Sequence, residues 1–456
     1  MNSLELMSYI INQDPILSAE IDLPKQGDSI QEIGKLISSD NRYRNAFINT
    51  VNLIGVTLIK KNQWENPWDF TIRGTMRFGQ QVRELILDLV KANDYNLNYD
   101  NKSRFLETEV PNVLNYIHEV NFQKFYQTTT NDVEFAMAFQ EEGNLMDFIE
   151  NTISMLYESY EYDMYIVNKY MLCRRILDGT MTSVKIDNYS NLTPRQRVSK
   201  LKDISNKMTF RKPNYNPAGL RRATKFSKQI AIINTDFEAD MSTEVLATSF
   251  FINEAEMKSQ MRLIDGFGDH DTVRLAETLG NQYIPFTSDE ITALAKIPAV
   301  IISDEWFMDY VYALDTAIEG GNGLKELQFY NPTTLENNHY LHAWLVLSTS
   351  PFENGVVFTQ DTPAVSSVTV SPATATVTAG QSIQLSATVA TTGFANKAVK
   401  WEITSGDGAT VDLNGLVRIP SDFAEASITV TATSIYDEDK TGTATITLAT
   451  DDSASV

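Results

Sequence analysis

From about Gly143 to Asp178 apolar residues return at helical intervals: Leu145, Ile149, Ile153, Leu156, Tyr160, Val167 and Met171, with neither proline nor internal glycine between them. The spacing predicts one long helix, which at ~1.5 Å per residue reaches roughly 50 Å and suits a strut. Its Tyr-rich face lacks the clean heptads of a coiled coil. Over Gln81 to Asn96 periodicity does not arbitrate: Val82, Leu85, Ile86, Leu89 and Val90 fit a helix, whereas Leu85, Leu87 and Leu89 alternate as in a strand. Pro298 to Ser303 is a short β-branched apolar run, predicted as a buried strand that enters an aromatic-rich turn over Asp304 to Tyr310.

Beyond Pro363 the period shortens to two. Strands are predicted over Ser367 to Ser371, Ser382 to Val389, Val399 to Thr404, Ala409 to Leu413, Ser427 to Thr433 and Thr441 to Leu448, with turns at Gly380-Gln381, Gly406 to Gly408 and Asn414-Gly415. A small antiparallel sandwich follows, with Trp401 as its core aromatic. The succession Val368-Thr-Val-Ser-Pro372, Gly380, Trp401-Glu-Ile, Ser405-Gly406 and Asn414-Gly-Leu-Val417 resembles the bacterial immunoglobulin-like group 2 domain over about 85 residues.

Composition agrees with a boundary there. All 14 methionines and all four histidines precede Pro363. A chain of 456 residues exceeds one compact core, so two or three domains are expected. At 43% hydrophobic and 21% charged residues it lies far from disordered composition. The first residues lack the basic and apolar regions of a signal peptide, and no stretch approaches the roughly 20 apolar residues of a membrane span. Single Cys173 has no partner for an intrachain disulfide or a thiolate metal site, which fits a small buried hydrophobe in a reducing cytoplasm.

Charge is the feature that exceeds the ordinary. The formal net charge is −22, which disfavours a general nucleic-acid binder and suits a passive wall around DNA. Yet Arg195 to Lys228 holds eleven Lys/Arg against one acid, Asp203, while Asn131 to Tyr165 holds nine Asp/Glu and no Lys/Arg. The basic segment could contact DNA, form a solvated face, or meet acidic surface of a neighbouring copy. The acidic excess of the chain favours the last, because complementary patches set register and on-rate. The candidate interface residues are Arg195, Arg197, Lys200, Lys202, Arg211, Lys212, Arg221, Arg222 and Lys225, facing Glu141, Glu142, Asp147 and Glu150.

Enzyme signatures are missing: no phosphate loop, dinucleotide fingerprint, nucleophile elbow or H-E-x-x-H zinc helix occurs. No catalytic, cofactor-binding or metal residue is assigned. His339 and His342 could share a metal, but no acidic third ligand stands at a recognisable interval, so a core or interface role is favoured. The loop Asp265-Gly-Phe-Gly-Asp-His-Asp271 could hold a divalent ion and is more simply a polar loop; Asp437-Glu-Asp439 reads as a solvated turn.

Several stretches occur in an order that resembles a known family. Gly79 to Val90, Pro111-Asn-Val113 with His118 and Phe125-Tyr126, the long helix, and Ile232 to Gly266 ending in Leu263-Ile-Asp-Gly-Phe267 come first. Val300 to Met308, His342-Ala-Trp344 and Phe352 to Phe358 follow. Together they look like the major capsid proteins of phi-29-like short-tailed phages, over most of residues 40 to 365. The resemblance implies an α+β chain with the Hong Kong 97-type capsid fold and a C-terminal all-β immunoglobulin-like sandwich. It implies an N-terminal arm and lead-in (1–60), an E-loop hairpin (61–110) containing the Gln81 to Asn96 stretch as a strand, peripheral and axial domains (111–362) around a spine helix (143–178), and the outer domain (363–456). The implied function is a shell-building subunit of an icosahedral or prolate head enclosing double-stranded DNA, with no cofactor. Implied partners are other copies in pentamers and hexamers, a scaffolding protein, a portal, weakly contacted DNA, and a host surface touched by the outer domain. That domain is expected to project, joined by one polar linker, and to be dispensable for closure. The subunit would be made in the host cytoplasm and reside in the virion. The competing readings are a surface adhesin, which normally carries a signal peptide and tandem modules, and an enzyme with an accessory sugar-binding module.

Overall fold

A computed structural model describes residues 8, 10–12, 15–21, 30–39, 42–43, 46–47, 64, 66–76, 79, 81–87, 89–90, 113–131, 154–239, 260–314, 323–331, 333–334, 336–406 and 408–449. Along the chain run α1 (Pro15–Glu20), α2 (Ile30–Ser39), β1 (Ile72–Met76), β2 (Gln81–Leu87), β3 (Val113–Glu119), β4 (Phe122–Asn131), α3 (Met155–Leu177), β5 (Thr182–Lys185) and α4 (Pro194–Met208). There follow β6 (Gln229–Asn234), α5 (Thr235–Ala239), β7 (Met261–Ile264), α6 (Thr272–Leu279), α7 (Ser288–Leu294), β8 (Ala299–Ser303), β9 (Asp309–Tyr312), β10 (Lys325–Asn331), β11 (Glu336–Val346) and β12 (Gly355–Thr359). The C-terminal strands are β13 (Ala364–Ser371), β14 (Thr374–Val377), β15 (Ser382–Gln384), β16 (Ser386–Thr392), β17 (Val399–Ser405), β18 (Thr410–Val411), β19 (Leu416–Arg418), β20 (Ser427–Ser434) and β21 (Thr441–Leu448).

The chain divides into two compact units. The first comprises Met1–Gln81, Glu119–Val167 and Asp309–Leu347; the second comprises Val82–His118, Asn168–Met308 and Ser348–Val456. In the first, β11 is central: it pairs antiparallel with β4 on one side and with β10 and β9 on the other, and β1 adds parallel to β9. Strand alternation sorts its residues, so Asn337, His339, Leu341, Ala343 and Leu345 are buried while Tyr340, His342 and Trp344 between them are half-buried. Trp68 is fully buried and meets Tyr165 edge-on at 5.6 Å.

The long helix contributes its first part to this unit and the rest to the second. Its described extent is 23 residues, about 34 Å, and its C-terminal end falls one residue from the expected one; residues 143–153 of the expected helix lie outside the described residues. From Asp163 to Tyr170 every residue is buried, so this stretch has no solvent face. Its polar members have partners: Tyr126 Oη donates to Asp163 at 2.9 Å, and Lys169 Nζ donates to Asp265.

The second unit is built on the sheet β5-β12-β8-β6-β7. Strands β8 and β12 are buried at every position, as the β-branched run of β8 predicts. Helix α4 begins at Pro194, whose missing N–H costs nothing in a first turn, with the Gln196 side chain accepting from the Thr193 N–H at 2.9 Å. Its inner face, Val198, Leu201, Ile204 and Met208, joins Ile233, Phe237, Ile301, Val356 and Phe358 in one core.

The C-terminal strands form the sheets β13-β16, β14-β21-β20-β17 and β15-β19-β18. The expected strand over Ser382 to Val389 is two strands: Leu385 turns fully into the core and donates its N–H to Gly415 O at 2.9 Å, so β15 pairs β19 while β16 pairs β13. Thr374–Val377 and Leu416–Arg418 are strands that the alternation did not single out. Trp401 is half-buried at the edge of a core that is mostly aliphatic, Leu385, Val417, Ile428, Val430 and Ile446 among its members. Gly415 has φ +82°, and a Cβ there would stand 2.9 Å from the Trp401 ring, which requires glycine in this turn.

Candidate assembly surfaces

The basic segment does not act as one patch. Arg195 and Lys200 project from α4 into solvent, opposite its buried face. Arg197 lies 4.3 Å over the Tyr189 ring and donates to Tyr189 O, while Lys202 is half-buried. Lys207 pairs with Asp203 one turn back at 2.6 Å, which raises the lysine's pKa. Lys212 and Arg222 meet through their backbones, and the guanidinium of Arg222 reaches the carboxylates of Glu353 and Glu305. Burial pushes the Glu353 carboxyl above the usual range, and the Arg222 charge opposes that shift. Lys228 pairs with Asp304 at 2.7 Å. Arg195, Lys200, Arg211, Arg221 and Lys225 are exposed and make no ion pair among the described residues.

On the acidic side, Glu141, Glu142, Asp147 and Glu150 lie outside the described residues. The described end of that segment is partly folded inward. Asp163 is buried on Tyr126, and burial raises the Glu161 carboxyl pKa, with the Asn66 side chain opposing it.

Strands β2 and β3 form a two-stranded sheet of their own. The ambiguous stretch is therefore a strand from Gln81 to Leu87, alternating exposed and half-buried residues along its length. Leu85 and Leu87 are each 64% exposed and Val90 is 73% exposed; Leu89, Val113 and Ile117 are exposed as well. Leu85, Leu87 and Val113 thus hold large apolar side chains at the surface of the two strands. At its root Glu84 accepts from Ser350 Oγ at 2.8 Å and lies 3.4 Å from His118 Nε2, whose Nδ1 is 2.8 Å from Ser348 Oγ. Strand β1, by contrast, is already paired with β9. Between the ribbon and the basic segment lies a cavity of about 260 Å³ lined by Ile86, Leu87, Leu89, Arg211, Leu220 and Arg221, with Arg222 and Ala223 completing it. No local signal in the sequence joins Glu84 to Ser348 and Ser350, because β2 and the β11–β12 connection that carries the two serines are brought together only by the fold.

The residues weighed for metal chemistry go elsewhere. His339 and His342 stand three apart on a strand and so face opposite ways: His339 is buried beside Thr130 Oγ1 at 3.1 Å, and burial lowers its pKa to about 4, whereas His342 stacks with Tyr340 on the other face. In the Asp265 to Asp271 loop, Asp265 accepts from Lys169, Asp271 caps α6 by accepting from the Arg274 N–H at 3.0 Å, and His270 stacks 4.3 Å from Phe286 with its pKa lowered to about 4, chiefly by burial. Among the described residues no group of three His, Cys, Asp or Glu could hold a metal ion. Cys173 is buried, its thiol directed at Phe267 O and pushed up to about 12 by burial. Asp437 accepts from the Asp439 N–H and closes the turn between β20 and β21.

The profile of the Phi29-like phage major capsid protein family matches residues 21–359, and that of the bacterial Ig-like domain (group 2) matches residues 364–448. The chain is 29% identical over 423 residues to the major capsid protein of Bacillus phage PZA, covering 91% of this chain and 86% of that protein. It is 28% identical over 415 residues to the major capsid protein of Bacillus phage B103, covering 89% and 84%. Among solved structures, it is similar to a chain in the capsid of Staphylococcus phage Andhra, with TM-score 0.49, 14% identity, and 67% and 86% covered.

Proposed function

The chain belongs to the Phi29-like phage major capsid protein family, and from that membership we propose how its surfaces build a shell. The protein is a structural subunit of the phage capsid, with the Hong Kong 97-type fold that the family carries and a C-terminal immunoglobulin-like domain. It assembles with other copies of itself, in the virion. The family match spans most of the chain ahead of the immunoglobulin-like domain, which sets the adhesin reading aside.

Within that role the β2–β3 ribbon acts as the root of the E-loop and α3 as the spine. The observation that carries this reading is the exposed apolar face of that ribbon, with Leu85, Leu87, Val113 and Ile117, a surface that becomes stable once a neighbouring copy covers it. The exposed cations Arg195, Lys200, Arg211, Arg221 and Lys225 meet acidic surface of that neighbour, and the net charge of −22 supplies such surface in excess. The head, icosahedral or prolate, encloses double-stranded DNA behind a wall that repels it, made in the host cytoplasm with a scaffolding protein and a portal. Negative-stain imaging with sedimentation of the purified chain tests the reading. Closed particles in the megadalton range are expected for wild type, and loss of particles for Leu85→Asp/Leu87→Asp with a folded subunit; wild-type protein that stays monomeric under all assembly conditions, or normal particles from the variant, contradicts it.

A further inference from the structure

We propose that the immunoglobulin-like domain is a brace of the capsid subunit, whose loop from Gly393 to Lys397 closes the end of the spine helix and holds strand β5 in place. The domain was expected to hang from one polar linker. Instead it shares a compact unit with the β5-β12-β8-β6-β7 sheet.

The final carbonyls of a helix have no partner within it. Here the chain leaves α3 through Gly179, in the left-handed region at φ +65°, and the loop arrives there: Lys397 N–H donates to Gly179 O at 2.6 Å, and Lys397 Nζ donates to Leu177 O at 3.3 Å. The ammonium thus sits at the negative end of the helix dipole. A Cβ on Gly179 would lie 2.8 Å from Lys397 Cγ and 2.9 Å from Ala395 O, so glycine is required both by the backbone angle and by the loop lying on it.

The next strand is held from the same side. Ser183, buried in β5, donates to Phe394 O at 2.6 Å, and fully buried Asn396 directs its side-chain N–H toward Thr182 Oγ1 at 3.4 Å while accepting from the Ala398 N–H at 2.8 Å. Ala395 is fully buried in the seam. Phe394 has φ +61°, a conformation that bulky residues avoid and that persists only where surrounding contacts enforce it. A second point of contact lies at Gly219, where a Cβ would meet Ile435 Cδ1 at 3.0 Å. Buried, hydrogen-bonded side chains on both sides distinguish this seam from the polar, mobile interface of a tethered module.

Hydrogen-exchange mass spectrometry on the full-length unassembled subunit tests the brace. In Ser183→Ala/Asn396→Ala, amides of residues 177–186 should exchange about ten-fold faster than in wild type, because buried groups lose their partners and the local opening becomes easier. Strands β20 and β21 should stay protected, which shows that the domain itself remains folded. Unchanged exchange over 177–186 overturns the proposal. Should the variant lose protection everywhere, wild-type calorimetry decides: one shared transition for the immunoglobulin-like domain and the five-stranded sheet is expected, and two independent transitions overturn the brace.

Discussion

The guanidinium of Arg222 donates to the carboxylate of Glu353, a residue only 2% exposed, and so one member of the basic segment is a structural residue. Arg222→Ala is expected to destabilise the subunit by about 3–5 kcal/mol, the cost of leaving a buried carboxylate uncompensated. Arg221→Ala, one residue away and exposed, should change stability by less than about 0.5 kcal/mol. Urea denaturation of both variants checks the contrast, and equal effects would refute the division of the segment into structural and free cations.

For the free cations the expected effect is on assembly. Arg211→Glu/Arg221→Glu/Lys225→Glu should fold normally yet fail to form shells, since like charges brought together at a desolvated contact cost several kcal/mol. High salt should weaken early association of wild type, because exposed charges are screened beyond about 8 Å at physiological ionic strength. Normal empty shells with reduced DNA packaging would instead point to DNA contact. Shell yield, with circular dichroism to establish folding, separates the outcomes.

His339 gives stability a defined pH dependence. Burial lowers its folded pKa to about 4 from the ordinary 6.5, so its contribution is fully present above about 6.5 and is lost as pH falls toward 4, where the imidazole must charge inside the core. The size is roughly 3 kcal/mol from the two pKa values. His270 shifts the same way. His339→Gln should therefore remove about half of the loss in unfolding free energy between pH 7 and pH 4.5; an unchanged slope would show that His339 is not the titrating group.

Cys173 should resist alkylation in the native subunit at pH 8, because its thiol is buried and held protonated, with a pKa pushed up to about 12. Labelling by iodoacetamide is expected only under unfolding conditions. Rapid stoichiometric labelling of the folded subunit would show that the helix end opens readily.

Elements with a local period were legible in the chain. Thr441–Leu448 has the bounds that alternation gives, Ala299–Ser303 starts one residue late, and the long helix ends one residue early, since side-chain period and helix stops are properties of neighbouring residues. The order of capsid-like stretches and the immunoglobulin-like spacing were likewise readable as sequence. Tertiary structure alone decided the rest. Ile86 fits a helical period, Leu87 fits an alternating one and Leu85 fits both, and the stretch is a strand where β3 pairs with it. Leu385 continues an unbroken alternation, yet the fold breaks the strand there by turning it into the core. Asp163 and Lys169 are buried in the helix where Tyr126 and Asp265 reach them as partners from distant segments. Which arginine is structural follows the same rule: Arg221 and Arg222 are equivalent as letters, and a buried carboxylate 131 residues away from Arg222 distinguishes them. Charge and period are local quantities, whereas burial and pairing depend on which remote residues the fold brings within a few ångströms.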